Sequence, residues 1–250
     1  GIESSCDDTS ASVLCDGKVL SNLIANQEIH KSFGGVVPEL ASRAHQQNII
    51  PVVNQAILNA NIDKNQLNAI AYTRGPGLLG SLLVGSSFAK SLSMGLNVPL
   101  IEVNHMQAHL LAHFIEDCGN EKPTFPFIGV TISGGHTQIV FVKNYFDMEI
   151  IGETLDDAIG ETFDKCGKML GLPYPAGPHI DKHSKSGNPN KFKFTKPRVG
   201  GLNYSFSGLK TGFMRYIQKE KNNNDNFIST ELENLCASLQ LTIVEILYEK

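Results

Sequence analysis

Short runs of alternating apolar and polar residues fill the first part of the chain, and the pattern predicts strands before helices. Residues 11–15 read as one strand and 18–24 as another. Asp16-Gly17 lies between them; both residues tolerate positive φ, so the pair predicts a hairpin turn. A loop holding Gly34-Gly35 precedes a long helix over about 38–60. Residues 68–73 predict a short buried strand, Gly75-Pro76-Gly77 a turn, and about 78–94 a second helix. Residues 99–103 read as a further strand, after which Asn104 is placed to cap a helix carrying three histidines.

The second half begins again on the same plan. Residues 127–132 and 137–142 predict two strands around Ser133-Gly134-Gly135-His136, with a third strand over 148–151 and a helix over about 156–170. Lys191-Phe192-Lys193-Phe194 alternates as a strand would. Thr230-x-x-Glu233 has the form of a capping box, and the helix it would start carries Leu232, Leu235, Leu239, Val244 and Leu247. Two halves that each pass from a strand hairpin to helices predict an α/β chain of two lobes. The polar, proline-containing stretch 116–126 marks the boundary, giving lobes over 1–120 and 121–250.

Composition narrows the class. The chain has 250 residues, 41% hydrophobic and 18% charged, with a net charge of −4, which suits packed domains and not disorder. Its apolar runs are too short to span a membrane. The opening GIESSCDDTS is not a basic and then apolar leader, so no cleavable signal is expected. A first residue of Gly1 instead of Met predicts that the native chain starts earlier, and a helical pattern running to Lys250 without a glycine cap predicts a continuation. The five cysteines, Cys6, Cys15, Cys118, Cys166 and Cys236, are scattered and form no C-x-x-C, which predicts reduced thiols in a cytosol-like compartment. A weakly acidic chain argues against a general nucleic-acid coat and leaves room for a local basic patch.

Four groups could carry chemistry. His105 and His109 stand four apart, on one helical face, and can share a metal ion; the alternative is a polar helix start with exposed histidines. His113 extends the row by a turn. Met106 occupies the position where a zinc protease of the H-E-x-x-H type has its glutamate base, which disfavours peptide hydrolysis. A third ligand is needed, and Asp7 and Asp8 are candidates, with a turn or cap role as the alternative. Ser133-Gly134-Gly135 could bring backbone N–H groups close to an anion or make an ordinary tight hairpin. Gly75-Pro76-Gly77 could likewise present a helix start to phosphate or simply turn the chain. Asp157, Glu161 and Asp164 fall on one helix face, where a cation, a ribose or a partner could balance them, and Asp181 follows a rigid loop as a possible ribose acceptor. Residues 182–198 hold six cations and no acid, a density that could meet phosphates or merely solubilise a face.

Taken in series, these stretches resemble one family. Gly1-Ile2-Glu3-Ser4-Ser5-Cys6-Asp7-Asp8-Thr9, the Gly34 to His45 segment with Pro38-Glu39-Leu40-Ala41-Ser42-Arg43, Gly75-Pro76-Gly77-Leu78, Asn104-His105-Met106-Gln107-Ala108-His109, Ser133-Gly134-Gly135-His136-Thr137, Asp156-Asp157-Ala158-x-Gly160-Glu161-x-Phe163-Asp164-Lys165 and Ser205-Phe206-Ser207-Gly208-Leu209-Lys210-Thr211 occur in order. They are similar to the TsaD-type tRNA N6-adenosine threonylcarbamoyltransferases, formerly described as O-sialoglycoprotein endopeptidases, and fit the bacterial and organellar branch best.

The resemblance implies an actin-like, sugar-kinase-like α/β fold of two lobes, incomplete here at its C-terminus. It implies transfer of a threonylcarbamoyl group from threonylcarbamoyl-AMP to N6 of adenosine 37 in tRNAs reading ANN codons. His105 and His109 would be ligands of one divalent metal ion, iron or zinc. Thr131, Ile132, Ser133, Gly134 and Gly135 would line the adenylate site, and Asp164, Gly177 and Asp181 would hold its nucleoside, with ATP or ADP as a further ligand. Further implied partners are tRNA, with a TsaB-type paralogous subunit and a TsaE-type ATPase in a bacterial cytoplasm, or a homodimer in a mitochondrion. In the family a third metal ligand, an aspartate, and a glycine-asparagine nucleotide loop lie in a further segment that this sequence does not reach. Asn203 stands where Asp is common. The competing expectation is a non-catalytic nucleotide-binding scaffold of the same fold.

Overall fold

A computed structural model describes residues 1–116 and 121–250. The chain divides into two units, Gly1–Thr124 and Phe125–Lys250. Cys118 and the middle of the expected boundary stretch fall at 117–120, outside the described residues.

The first unit is a five-stranded sheet in the order β3-β2-β1-β4-β5. Its strands are β1 (Ile2–Glu3), β2 (Thr9–Cys15), β3 (Lys18–Ala25), β4 (Ile70–Gly75) and β5 (Leu100–Asn104). The β2–β3 hairpin turns at Asp16 and Gly17 with φ of 50° and 81°, the left-handed pair that the dipeptide predicts. Strands β4 and β5 run parallel to β1, each reached through a helix. Helix α1 (Pro38–Asn59) begins on a proline, whose fixed φ suits the first helical position. Helix α2 (Leu79–Leu96) starts one residue later than the pattern predicts and buries Ser81, Gly85, Ala89 and Ser93 at a spacing of four. Ile2, Ala11, Val13, Ile49, Val53, Ile70 and Tyr72 form the core with Ala89.

The second unit is an antiparallel meander, β6 (Phe127–Ile132), β7 (Thr137–Val142) and β8 (Met148–Glu153), backed by helices. These are α4 (Ile159–Met169), α5 (Gly177–Ser184), α6 (Ser207–Asn223) and α7 (Phe227–Tyr248). Its core joins Ile139, Ile159, Phe206, Phe213, Leu235 and Leu239.

Three local expectations are corrected. Residues 191–194 form no strand; Phe192 and Phe194 instead enter an aromatic cluster with Phe213, Tyr216 and Phe227, so burial of two rings produced the alternation. The Thr230 capping box does not form, because α7 already begins at Phe227 and the Thr230 hydroxyl donates back to the Asn226 carbonyl. Helix α4 begins at Ile159, not near Asp156, so Asp157 precedes the helix and shares no helix face with Glu161 and Asp164.

Candidate active-site residues

The histidine pair is set by the end of the sheet. Strand β5 runs straight into α3 (His105–Leu111), where the Asn104 side chain accepts the backbone N–H groups of Met106 and Gln107 at 2.9 and 3.1 Å. This satisfies two of the donors that a helix start leaves open. Met106 and Leu110 are buried, which turns His105 and His109 together onto another side. Their rings meet edge to face with centroids 4.6 Å apart, and their Nε2 atoms approach to 3.1 Å. His113 leaves the row, since it sits exposed in the one-turn 3-10 helix that follows.

Two imidazole nitrogens on one metal ion, each about 2.0–2.1 Å from it at tetrahedral or octahedral angles, lie about 2.9–3.4 Å apart. The pair therefore fits a shared divalent ion. The third-ligand expectation for Asp7 and Asp8 is corrected: among the described residues no three His, Cys, Asp or Glu groups are placed to hold a metal. Glu3 contacts the pair from the far side of the His105 ring, with Oε2 3.1 Å from Nδ1. Glu3 also accepts from the Ser5 backbone N–H and, at 2.5 Å, from the Thr73 hydroxyl. Burial pushes the Glu3 carboxyl up, but the hydrogen bonds from His105, Ser5 and Thr73 outweigh it and bring it down to about 2.

The loop between β1 and β2 is strapped from behind. Buried His45 places Nδ1 2.7 Å from the Thr9 hydroxyl and Nε2 3.0 Å from the Cys6 carbonyl. The Ser81 hydroxyl donates to the same carbonyl at 3.0 Å. Cys6 is exposed, yet desolvation and the nearby charges of Asp7, Asp8 and Glu3 push its thiol up to about 12. Gly75-Pro76-Gly77 turns the chain onto the β1–β2 loop: the Leu78 N–H donates to the Ser5 carbonyl at 2.7 Å, and Gly77 packs directly on that carbonyl.

In the second unit, Ser133-Gly134-Gly135-His136 closes β6 onto β7, with the Ser133 N–H donating to the His136 carbonyl at 2.9 Å. Neither Gly134 nor Gly135 has a positive φ, and a Cβ added to either would meet nothing within 4 Å. Neither the turn nor the packing requires glycine there, so the turn presents bare backbone at both positions. Gly160 is different, because its Cβ would stand 2.7 Å from both Gly134 Cα and the Ser133 carbonyl oxygen. Thr131 and Ile132 lie on opposite faces of β6: Thr131 is buried with its hydroxyl unpartnered, and Ile132 is half exposed.

Asp164 Oδ1 accepts the Ala176 N–H at 2.7 Å, which brings the start of α5 and Gly177 beside it. Burial pushes the Asp164 carboxyl up, with the Ala176 bond opposing and the Glu161 charge adding to it. No Cβ contact restricts Gly177. Asp181 is exposed, held by Lys185 at 3.1 Å and Gln240 at 3.3 Å.

The acidic and basic groups largely satisfy each other. Asp157 pairs with Lys210 and with Lys165 at 3.2 Å, and Glu161 with Lys165 at 2.6 Å. Of the six cations in 182–198, Lys185, Lys191 and Lys196 are engaged by Asp181, Glu231, Glu245 and Glu249. Sequence reasoning missed Glu3 and His45 as site-building residues, although both lie in stretches that carry the resemblance. Their partners are up to 102 positions away, so no local spacing could point to them.

The site belongs to an α/β protein, and comparison with known proteins makes it a transferase. The family model for TsaD, tRNA N6-adenosine threonylcarbamoyltransferase, matches residues 18–250. A protein of that name from Christiangramia forsetii is 66% identical over all of this chain and 73% of its own length. Another from Riemerella anatipestifer is 63% identical over the same shares. A solved structure, YeaZ from Pseudomonas aeruginosa, overlays on 60% of this chain and 63% of its own with 16% identity and a TM-score of 0.40. The chain belongs to the TsaD family, the tRNA N6-adenosine threonylcarbamoyltransferases. Its relatives carry the name of an enzyme, not of a scaffold.

Proposed function

We propose that the chain carries out the transfer its family is named for, moving a threonylcarbamoyl group from threonylcarbamoyl-AMP to N6 of adenosine 37 in tRNAs that read ANN codons. The observation that carries this reading is the 3.1 Å approach of the His105 and His109 Nε2 atoms, two nitrogens of a divalent metal site. When bound, iron or zinc polarises a carbonyl or neutralises phosphate charge. His105 and His109 would hold it, with a third ligand from elsewhere in the full-length protein.

The second unit supplies the adenylate contacts. The backbone N–H groups of Gly134 and Gly135, flanked by Ser133, Ile132 and Thr131, receive the phosphate oxygens at a turn with no side chain in the way. Asp164 keeps Oδ2 available to accept a ribose hydroxyl while Oδ1 is fixed by Ala176. Gly177 leaves the nucleoside room, and Asp181 adds a carboxylate one helical turn on; ATP or ADP would use the same contacts. In the transfer the N6 amine bonds to the carbamoyl carbon and loses a proton, the carbon–oxygen bond to phosphate breaks, and AMP leaves as an anion received by those N–H groups. Aromatic amines are weak nucleophiles, so orientation of the adenine matters as much as activation of the carbonyl.

The name of the bacterial relatives supports tRNA as substrate, and the proposed setting is cytoplasmic, with a TsaB-type subunit and a TsaE-type ATPase as partners. Among the described residues no helix is long and apolar enough to cross a membrane. The test uses full-length protein, metal ion, threonylcarbamoyl-AMP and tRNA. Replacing His105 and His109 together with Ala is expected to abolish both metal retention and transfer; unchanged transfer overturns the reading.

A further inference from the structure

We infer that Glu3 is the positioning residue of the metal centre, fixing the tautomer and orientation of His105 so that its Nε2 presents a lone pair on the side where His109 lies. The inference rests on the metal reading above and adds to it a residue that touches neither metal nor substrate.

An ionised carboxylate only accepts hydrogen bonds, so a neutral imidazole facing one must place its single N–H there. Glu3 Oε2 lies 3.1 Å from His105 Nδ1, which makes Nδ1 the donor and leaves Nε2 unprotonated. The Ser5 hydroxyl, 3.4 Å from the same nitrogen, adds a weaker acceptor on that side. Nε2 is the atom that approaches His109 Nε2 at 3.1 Å. A carboxylate on the Nδ1 side cannot reach an ion on the Nε2 side of the same ring, so Glu3 is excluded as a direct ligand of that ion. A carboxylate behind a ligating histidine raises its basicity and locks its ring.

Glu3 is itself immobilised. The Ser5 backbone N–H donates to Oε1 and the Thr73 hydroxyl to Oε2 at 2.5 Å, so both oxygens are engaged. The three parts come from neighbouring strands. Glu3 ends β1, Thr73 lies on β4 beside it, and His105 follows β5, which pairs with β4. The arrangement is carried by the sheet and not by a loop, which suits a site that must be held to a fraction of an ångström.

The test is metal affinity on the full-length protein, read by competition of Zn2+ or Co2+ with a chromophoric chelator, together with the metal-free melting temperature. Glu3→Gln keeps the shape and an acceptor oxygen but removes the charge. A loss of about 10–100-fold in affinity is expected, read where both proteins are folded, while the fall in metal-free melting temperature reports separately on the hydrogen bonds that the carboxylate accepts. An intermediate loss is expected for Thr73→Val, which leaves Glu3 in place but removes one of the two donors that hold Oε2. Wild-type affinity in Glu3→Gln, alongside lost affinity in His105→Ala, overturns this inference and leaves the metal reading standing. Wild-type protein that takes up no metal, or takes it up equally well without His105, overturns both. Should Glu3→Gln not fold, the 15N shifts of the His105 ring in metal-free wild-type protein decide: protonated Nδ1 is expected, and protonated Nε2 overturns the inference.

Discussion

Asp157 and Lys210 form an ion pair that ties the segment before α4 to the first turns of α6, bridging two motifs 53 positions apart in sequence. Their side chains are only 12% and 23% exposed, so the pair is largely withdrawn from water. Asp156, next in the chain, takes the backbone N–H groups of Phe206 and Ser207 at 2.7 and 3.2 Å and the Ser205 hydroxyl at 2.6 Å. The carboxylates of one motif thereby cap and anchor the helix that opens with the other. Removing Lys210 strands a mostly buried charge with Lys165 as its remaining cation. Lys210→Met should cost about 1–3 kcal/mol, read from denaturant unfolding; a change below about 0.5 kcal/mol would contradict the anchoring role.

The same pair sets a pH dependence. Burial pushes the Asp157 carboxyl up, but Lys210, Lys165 and Ser207 outweigh it, so its folded value lies below the ordinary carboxylate value. A group whose value is lower in the folded state stabilises above its unfolded value, near 4, and loses that contribution as pH falls through the folded value. Thermal melts from pH 6 downward should therefore show wild type and Asp157→Asn furthest apart above about pH 4, converging in stronger acid. Curves that stay parallel down to the acid limit would remove Asp157 from the acid transition.

Gly134 and Gly160 meet at the turn proposed to receive the adenylate and should separate binding from folding. A methyl group on Gly134 meets nothing, so Gly134→Ala should leave stability within about 0.5 kcal/mol while weakening a non-hydrolysable adenylate analogue at least about tenfold, the loss that about 1.4 kcal/mol produces. A methyl on Gly160 strikes the turn's backbone at 2.7 Å, so Gly160→Ala should cost about 1–3 kcal/mol and weaken binding with it. Calorimetry on both variants distinguishes them. Equal binding by Gly134→Ala and wild type would leave the open glycines unexplained.

How far the sequence discloses the site follows from the range of each interaction. The His105–His109 pair was legible because it depends on one helical turn and on a cap one residue upstream at Asn104. The β2–β3 hairpin was legible for the same reason, since Asp16 and Gly17 carry their own φ preference. Glu3 was not, because its role needs β1, β4 and β5 to be adjacent, and no residue near it in sequence signals that pairing. Lys191-Phe192-Lys193-Phe194 misled because its alternation is real but serves an aromatic cluster and not a ladder. The acidic stripe misled because Asp157 lies outside α4, where its cations are supplied by α4 and α6.

His45 provides the last prediction, on the strap behind the β1–β2 loop. The ring is fully buried and bridges the Thr9 hydroxyl and the Cys6 carbonyl, so both nitrogens are used. The Cys6 carbonyl accepts Nε2–H and the Thr9 hydroxyl engages Nδ1, so the ring is fixed from both sides. His45→Ala removes the ring from a closed position. It leaves the Thr9 hydroxyl without this partner, while Ser81 still serves the Cys6 carbonyl. The lost packing and the orphaned hydroxyl together should cost about 2–4 kcal/mol. The loss should also be local. The amides at Cys6, Asp7 and Asp8 should exchange with deuterium faster relative to those of β4 than the change in global stability alone accounts for. Because Glu3 and Ser5 enter this loop directly, looser exchange there should accompany weaker metal retention at His105 and His109. Faster exchange with full metal retention would show that the strap stabilises the fold without steadying the histidine pair.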